Sequence, residues 1–125
     1  MEIRERIILN YIEGYNSFDS QKMVKDCSEN FVFENIQDGK VTMTLKGVLE
    51  FLNQAEAAKN YFSKRKQTII SIDHQSDYSE ILIDYHAVLA CDLPNGLKKG
   101  QELRLKGKSR FHFQDGKIMK LIDES

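Results

Sequence analysis

Tyr11 and Tyr15 stand one helical turn apart in an apolar repeat made of Ile3, Ile7, Tyr11, Tyr15 and Phe18. Their side chains therefore share one face of a helix. Two phenols on one face can donate to a ligand oxygen, or they can be tied off against neighbours in a core. Asp84 and His86 stand at i and i+2 in a strand pattern, a spacing that suits acid–base work or two metal ligands. They fall opposite Ile83 and Tyr85, so the expected role is a polar outer face that pairs across strands with Arg104, Lys106 or Arg110. His74 and His112 are lone histidines near strand ends, outside any H-E-x-x-H spacing, so no metal is expected. No G-x-S-x-G, P-loop or G-x-G-x-x-G occurs, which leaves serine hydrolysis, nucleotide hydrolysis and dinucleotide binding without support. The basic run Ser63-Lys64-Arg65-Lys66 is short enough to read as a solvated loop. No cofactor is implied by these residues.

At 125 residues the chain, 1–125, is long enough for one domain with one core. Its hydrophobic share of 41% and charged share of 30% fit a globular chain. A net charge of −1 argues against a general binder of nucleic acid or of anionic membrane. The opening stretch Met1 to Arg6 is charged and lacks the apolar core of a secretory signal. No apolar run approaches the ~20 residues that span a bilayer. Cys27 and Cys91 lie in apolar surroundings and read as free core thiols in a reducing compartment. A cytoplasmic location is expected.

The elements that must position these residues follow from periodicity. The first helix carries the tyrosines. Asp19 caps a short second helix over Ser20 to Cys27. Phe31 to Ile36 reads as a strand with Phe31, Phe33 and Asn35 on one face. Gln37-Asp38-Gly39-Lys40 turns the chain into Val41 to Leu45, and the same four letters recur at Gln114 to Lys117 as reused turn chemistry. A third helix, with Phe51 on its apolar side, opens at Gly47 and runs to about Phe62. Three long strands follow: Gln67 to His74, Glu80 to Leu93, and Leu103 to Phe113. In the last of these Leu103, Leu105, Ser109, Phe111 and Phe113 alternate with Arg104, Lys106, Lys108, Arg110 and His112. Lys117 to Ile122 returns across Asp115-Gly116. The fold class is α+β: three N-terminal helices packed on a strongly curved antiparallel sheet, forming a cone with an internal pocket.

This order resembles the nuclear transport factor 2-like superfamily, which includes ketosteroid isomerases and SnoaL-like polyketide cyclases. The carriers are Tyr11 through Asp19, the Phe31 to Asn35 strand after a short helix, Gly47 opening the third helix, and the closing Arg110-Phe111-His112-Phe113-Gln114-Asp115-Gly116-Lys117-Ile118. Nearly the whole chain is covered. The resemblance implies a pocket lined by Tyr11, Tyr15, Phe33, Asn35, Phe51, Tyr85, Ser109 and Phe111. Tyr11 stands where the isomerases hold an oxyanion. Asn35 stands where they place a general-base aspartate, and Ser109 where they place a protonated one. An amide cannot take the proton, so isomerase chemistry of that type is not expected. Glu34 and Asp38 are the acids nearest the required place.

Two function classes follow. One is a non-catalytic module that binds a small apolar molecule in the cone. The other is a SnoaL-like enzyme moving a proton on a cyclic or carbonyl substrate, which an inward acid with a raised pKa would favour. By analogy with related cones, a homodimer is expected through the outer sheet face, where Leu82, Val88, Ala90, Met119 and Leu121 interrupt the charges.

Overall fold

A computed structural model describes residues 2–125. Three helices lie over a six-stranded mixed sheet. In chain order these are α1 (Glu2–Asn16), α2 (Ser20–Val24), β1 (Cys27–Gln37), β2 (Lys40–Lys46), α3 (Gly47–Ala58), a 3₁₀ turn (Lys59–Tyr61), β3 (Phe62–His74), β4 (Tyr78–Leu89), β5 (Glu102–Gln114) and β6 (Lys117–Glu124). The strand order is β2-β1-β6-β5-β4-β3. Bulges in β2, β3 and β6 bend the sheet around the helices, giving the expected cone.

The sheet departs from the expected antiparallel one between its second and third strands, where β1 and β6 run parallel. No hairpin joins these two strands, so no turn dictates their relative direction. The two Asp-Gly turns do dictate theirs. Asp38 and Gly39 have φ of 53° and 78°, and Asp115 and Gly116 have 53° and 77°, the positive pair that a two-residue turn needs.

Several boundaries move because long strands capture flanking residues. Cys27 is the first residue of β1 and pairs with Ile118 of β6, and α2 stops at Val24. Phe62 opens β3, so the basic run after it is a strand instead of a loop. Arg65 within that run is buried, its Nε donating to the Tyr15 carbonyl at 2.9 Å. β4 ends at Leu89, which leaves Cys91 half-buried beyond it, while Cys27 is buried; both are free thiols.

The core fills the cone between the sheet and α1 and α3. Ile8, Phe31, Ile81, Phe111, Ile118 and Leu121 are at most 1% exposed. Tyr11 meets Phe111 edge-on at 5.5 Å, and Phe51 of α3 meets Phe31 and Phe33 at 5.2 and 5.4 Å. Ile3 of the expected apolar stripe is exposed, because it lies beyond the covered part of the sheet. Side chains fasten α1 at both ends. Arg4 donates to the carbonyls of Gln75 and Ser76, both at 2.6 Å, in the β3–β4 turn. At the other end Asn16 donates from Nδ2 to the Gln67 carbonyl at 3.0 Å and accepts from the Gln67 N–H at 2.7 Å. β3 is an edge strand, so this amide occupies backbone groups that a further strand would have paired.

A bulge in β6 resets which face its residues occupy. Ile118 pairs with Phe113, and Lys120 pairs with His112, which leaves Met119 as the extra residue. Met119 and Lys120 both point outward, and beyond them the phase is reversed. Leu121, expected on the outer face, is fully buried in the core. Asp123 follows it to the inner face.

Candidate functional site

Three polar residues form a row across the inner face of the sheet. Asp123 of β6 is the register partner of Asn35 on β1 and of Ser109 on β5. The Ser109 hydroxyl donates to Asp123 Oδ1 at 2.7 Å. No lysine or arginine lies within ion-pair distance of Asp123 among the described residues. Burial raises the Asp123 carboxyl from its usual range to about 6, and the Ser109 hydrogen bond pulls it only part of the way back. The surface that Asp123 keeps is wall of a cavity of about 170 Å³.

This cavity sits where β6 stops at Glu124, opposite Lys108, while β5 continues to Glu102. Its wall includes Tyr15, Asn35, Gln67, Ile83, Tyr85, Leu105, Gly107, Ser109 and Asp123, with Lys106, Lys108, Glu124 and Ser125 at its rim. Gly107 extends the space: it stands between Leu105 and Ser109 on the inner face, where every other side chain projects inward. A Cβ there would approach the Glu124 carbonyl oxygen at 3.2 Å.

The tyrosines face the same space. Tyr15 Oη and Tyr85 Oη lie 2.8 Å apart, so one hydroxyl donates to the other and one proton is left for a ligand. Burial raises both phenols above their ordinary pKa, with the neighbouring Tyr85 next in effect on Tyr15. Tyr15 is held from behind by the Arg65 guanidinium, which stacks on the Tyr15 ring at 3.8 Å and on the Phe18 ring at 4.3 Å. Tyr11 is also raised, first by burial and then by the charge of Asp123.

Of the eight residues expected to line the pocket, Tyr15, Asn35, Tyr85 and Ser109 stand in the cavity wall. Tyr11, Phe33, Phe51 and Phe111 pack into the core behind it. The Asn35 amide is engaged by Thr42 Oγ1 at 2.8 Å. Leu105, inner by alternation, is 52% exposed because no helix reaches over that end of the sheet. The acids expected nearest the site are elsewhere. Glu34 lies on the outer face, 3.4 Å from Lys120, and Asp38 sits in the exposed turn.

Other polar groupings are fastenings. Asp84 pairs with Lys106 on the outer face at 2.5 Å, and His86 lies 3.7 Å from Glu102. His74 Nδ1 meets Ser79 Oγ at 2.7 Å, and its Nε2 meets Glu5 at 3.3 Å. This Ser-His-Glu line ties α1 to the β3–β4 turn, and Ser79 is fully buried, so no substrate carbonyl could reach its oxygen. His112 packs on Tyr78 at 5.3 Å, and burial lowers its pKa. Among the described residues no His, Cys, Asp and Glu side chains gather into a set that could hold a metal ion. No helix of the described residues is long and apolar enough to cross a membrane.

Known structures share this fold. A candidate polyketide cyclase from Xanthomonas campestris pv. campestris superposes with a TM-score of 0.84 at 16% identity, over 99% of this chain and 90% of that one. An NTF2-like protein of unknown function from Burkholderia pseudomallei gives 0.79 at 12% identity, over 98% and 90%. TerC, co-crystallized with polyporic acid, gives 0.78 at 14% identity, over 97% and 89%. This is the nuclear transport factor 2-like fold. No protein-family model matches the chain, and no curated protein matches it.

Within the nuclear transport factor 2-like cone, the two positions taken from the isomerase pattern flank the residue that pattern did not supply. Asn35 and Ser109 lie either side of Asp123. The missing signal was the β6 bulge. Ile118 and Leu121 are both apolar and three apart, a spacing that strict alternation cannot place on one face. No periodicity or motif in the sequence marks Gln67. It shares the inner face of β3 with Arg65 and Ile69, and its Oε1 is buried without a hydrogen-bond partner. An unsatisfied buried acceptor costs roughly 1–3 kcal/mol.

Proposed function

We propose that the cavity binds a small carbonyl compound and that Asp123 moves a proton on it. The carrying observation is Asp123 itself: a carboxyl on the cavity wall, in no ion pair, raised to about 6 and oriented by Ser109. A base titrating near 6 is mostly ionised at neutral pH and still returns its proton readily. Ser109 occupies Oδ1, which leaves Oδ2 for the substrate.

The step begins with a C–H next to the carbonyl. Asp123 takes the proton, the C–H electron pair becomes a C=C bond, and the carbonyl π pair moves onto oxygen. The Tyr15–Tyr85 pair has one hydroxyl proton to donate to that oxygen as charge develops. Protonated Asp123 then returns the proton to the same carbon or to a conjugated one. The reading draws support from a fold shared with a candidate polyketide cyclase and with a protein crystallised with polyporic acid. It does not extend to steroid isomerisation, since Asn35 has no titratable group and about 170 Å³ is small for four fused rings.

The test is α-proton exchange of 2-tetralone in D2O, followed by proton NMR. The native chain should accelerate exchange, with a rate rising through pH of about 6. Asp123→Asn should lower it by about a hundredfold or more. Exchange no faster than buffer, or exchange that survives Asp123→Asn, refutes the assignment.

A further inference from the structure

We infer that Gln67 selects the ligand by accepting a hydrogen bond from a hydroxyl on a small neutral molecule. The inference rests on the reading of the cavity as a substrate site. Gln67 is 7% exposed and stands in the cavity wall. Its Oε1 is cut off from solvent and has no partner in the chain. Its backbone cannot adjust to relieve this, because Asn16 clamps both the N–H, at 2.7 Å, and the carbonyl, at 3.0 Å. The terminal torsion of a glutamine side chain is soft, so the amide can turn while the backbone stays fixed. The cavity is the open side available to it, and the partner it lacks is a donor.

The rest of the wall narrows the class. The Tyr15–Tyr85 pair offers a donor and so takes a ligand acceptor. Asp123 pairs with no cation, and the two lysines of the wall, Lys106 and Lys108, are paired with Asp84 and Glu124, which disfavours an anionic ligand beside Asp123. Ile83 gives an apolar surface, and Gly107 beside it leaves a gap without a side chain, together room for a flat ring. A ring with a carbonyl at one end and a hydroxyl at the other satisfies each group in turn.

The probes are 4-hydroxyacetophenone and 4-methylacetophenone, alike in size and differing in the donor. Titration at pH 6.5 by NMR line shifts gives both dissociation constants. The native chain should bind the hydroxyl compound about tenfold more tightly than the methyl compound. Gln67→Leu should bring that ratio to unity or invert it, and Gln67→Met serves if the leucine variant loses its native circular dichroism. Equal binding of the two probes by the native chain overturns the inference and leaves the Asp123 reading standing. The same follows if the preference persists in both variants, which would place the acceptor elsewhere or leave a buried water on Oε1. Binding of neither probe, with 2-tetralone exchange intact, also overturns it. Absence of both binding and exchange overturns the cavity reading itself.

Discussion

Asp84 and Asp123 are aspartates in one sheet, and the sheet gives them opposite surroundings. Asp84 lies on the outer face beside Lys106, with both side chains more than half exposed. Asp123 lies on the inner face with a serine hydroxyl as its partner and its carboxyl raised to about 6. An exposed pair in water is worth roughly 0–1 kcal/mol. A buried carboxylate without a cation is a cost that packing elsewhere must offset. What separates a fastening from the proposed reactive group here is the face of the sheet, and in β6 the face is set by one extra residue.

The largest expected effect comes from neutralising each aspartate in turn. Asp123→Asn should lower proton exchange by about a hundredfold or more and also stabilise the fold at pH 7.5, by about 1–3 kcal/mol. The sign follows from linkage. The folded carboxyl holds its proton more tightly than the unfolded one, so its stabilising contribution is present below the unfolded value near 3.8 and is lost as pH rises through about 6. The gap between native and variant, read from urea unfolding, should therefore be wide at pH 7.5 and close at low pH. Asp84→Asn should change stability by less than about 1 kcal/mol and leave exchange alone. Ser109→Ala should move the exchange profile to higher pH, since its hydrogen bond is what lowers the Asp123 carboxyl. Greater stability of native over Asp123→Asn at pH 7.5 would reverse the assigned environment.

Next in size is Gly107→Leu. The side chain would enter the cavity past Ile83 and press on the Glu124 carbonyl. Probe binding and exchange should fall together to background, at a stability cost of about 1–3 kcal/mol. A variant that still binds 4-hydroxyacetophenone as the native chain does would place the ligand elsewhere on the cone.

Much of this comparison was legible in the sequence, and its decisive member was not. Alternation alone put Asp84 outside and Tyr85 inside, because β4 pairs with β5 in unbroken register from Tyr78 to Val88. The resemblance points to Asn35 and Ser109, and both stand in the cavity wall. Asp123 was lost because a bulge at Met119 changes parity and Leu121 carries no mark of its side. The charge of Arg65 implies a solvated side chain, yet two aromatic faces and a helix-end carbonyl hold it buried. A pattern of types reports the period of an element. It does not report which cation an aromatic pair will enclose, nor that two strands far apart in the chain will meet in parallel.

A smaller effect is expected at the hinge between the tyrosines and the sheet. Asn16→Ala removes both hydrogen bonds to Gln67 and leaves the β3 edge to water. The expected loss is about 1–2 kcal/mol, since solvent replaces part of what is removed. Amide hydrogen exchange should quicken at Gln67 while β4 stays protected. Unchanged protection at Gln67 would mean that the Asn16 contacts do not hold that edge.

The smallest effect on chemistry is expected from the outer face itself. Leu82 and Met119 are 44% and 41% exposed there, set among ion pairs such as Arg110–Glu80 and Lys108–Glu124. Leu121 no longer belongs to this patch, which makes the apolar part smaller than alternation implies. The face carries both charge signs in rows, so a second copy related by a two-fold axis can meet it with opposite charges aligned. A homodimer at micromolar concentration is the expected state, read by light scattering. Leu82→Lys with Met119→Lys should shift the mass toward the monomer, because two lysines at the centre of such a contact would face two more across the axis. Exchange of 2-tetralone per chain should hardly change, since neither side chain touches the cavity wall. A monomer mass for the native chain would remove the dimer, and a fall in exchange that tracks dissociation would show that the two faces of this sheet are coupled.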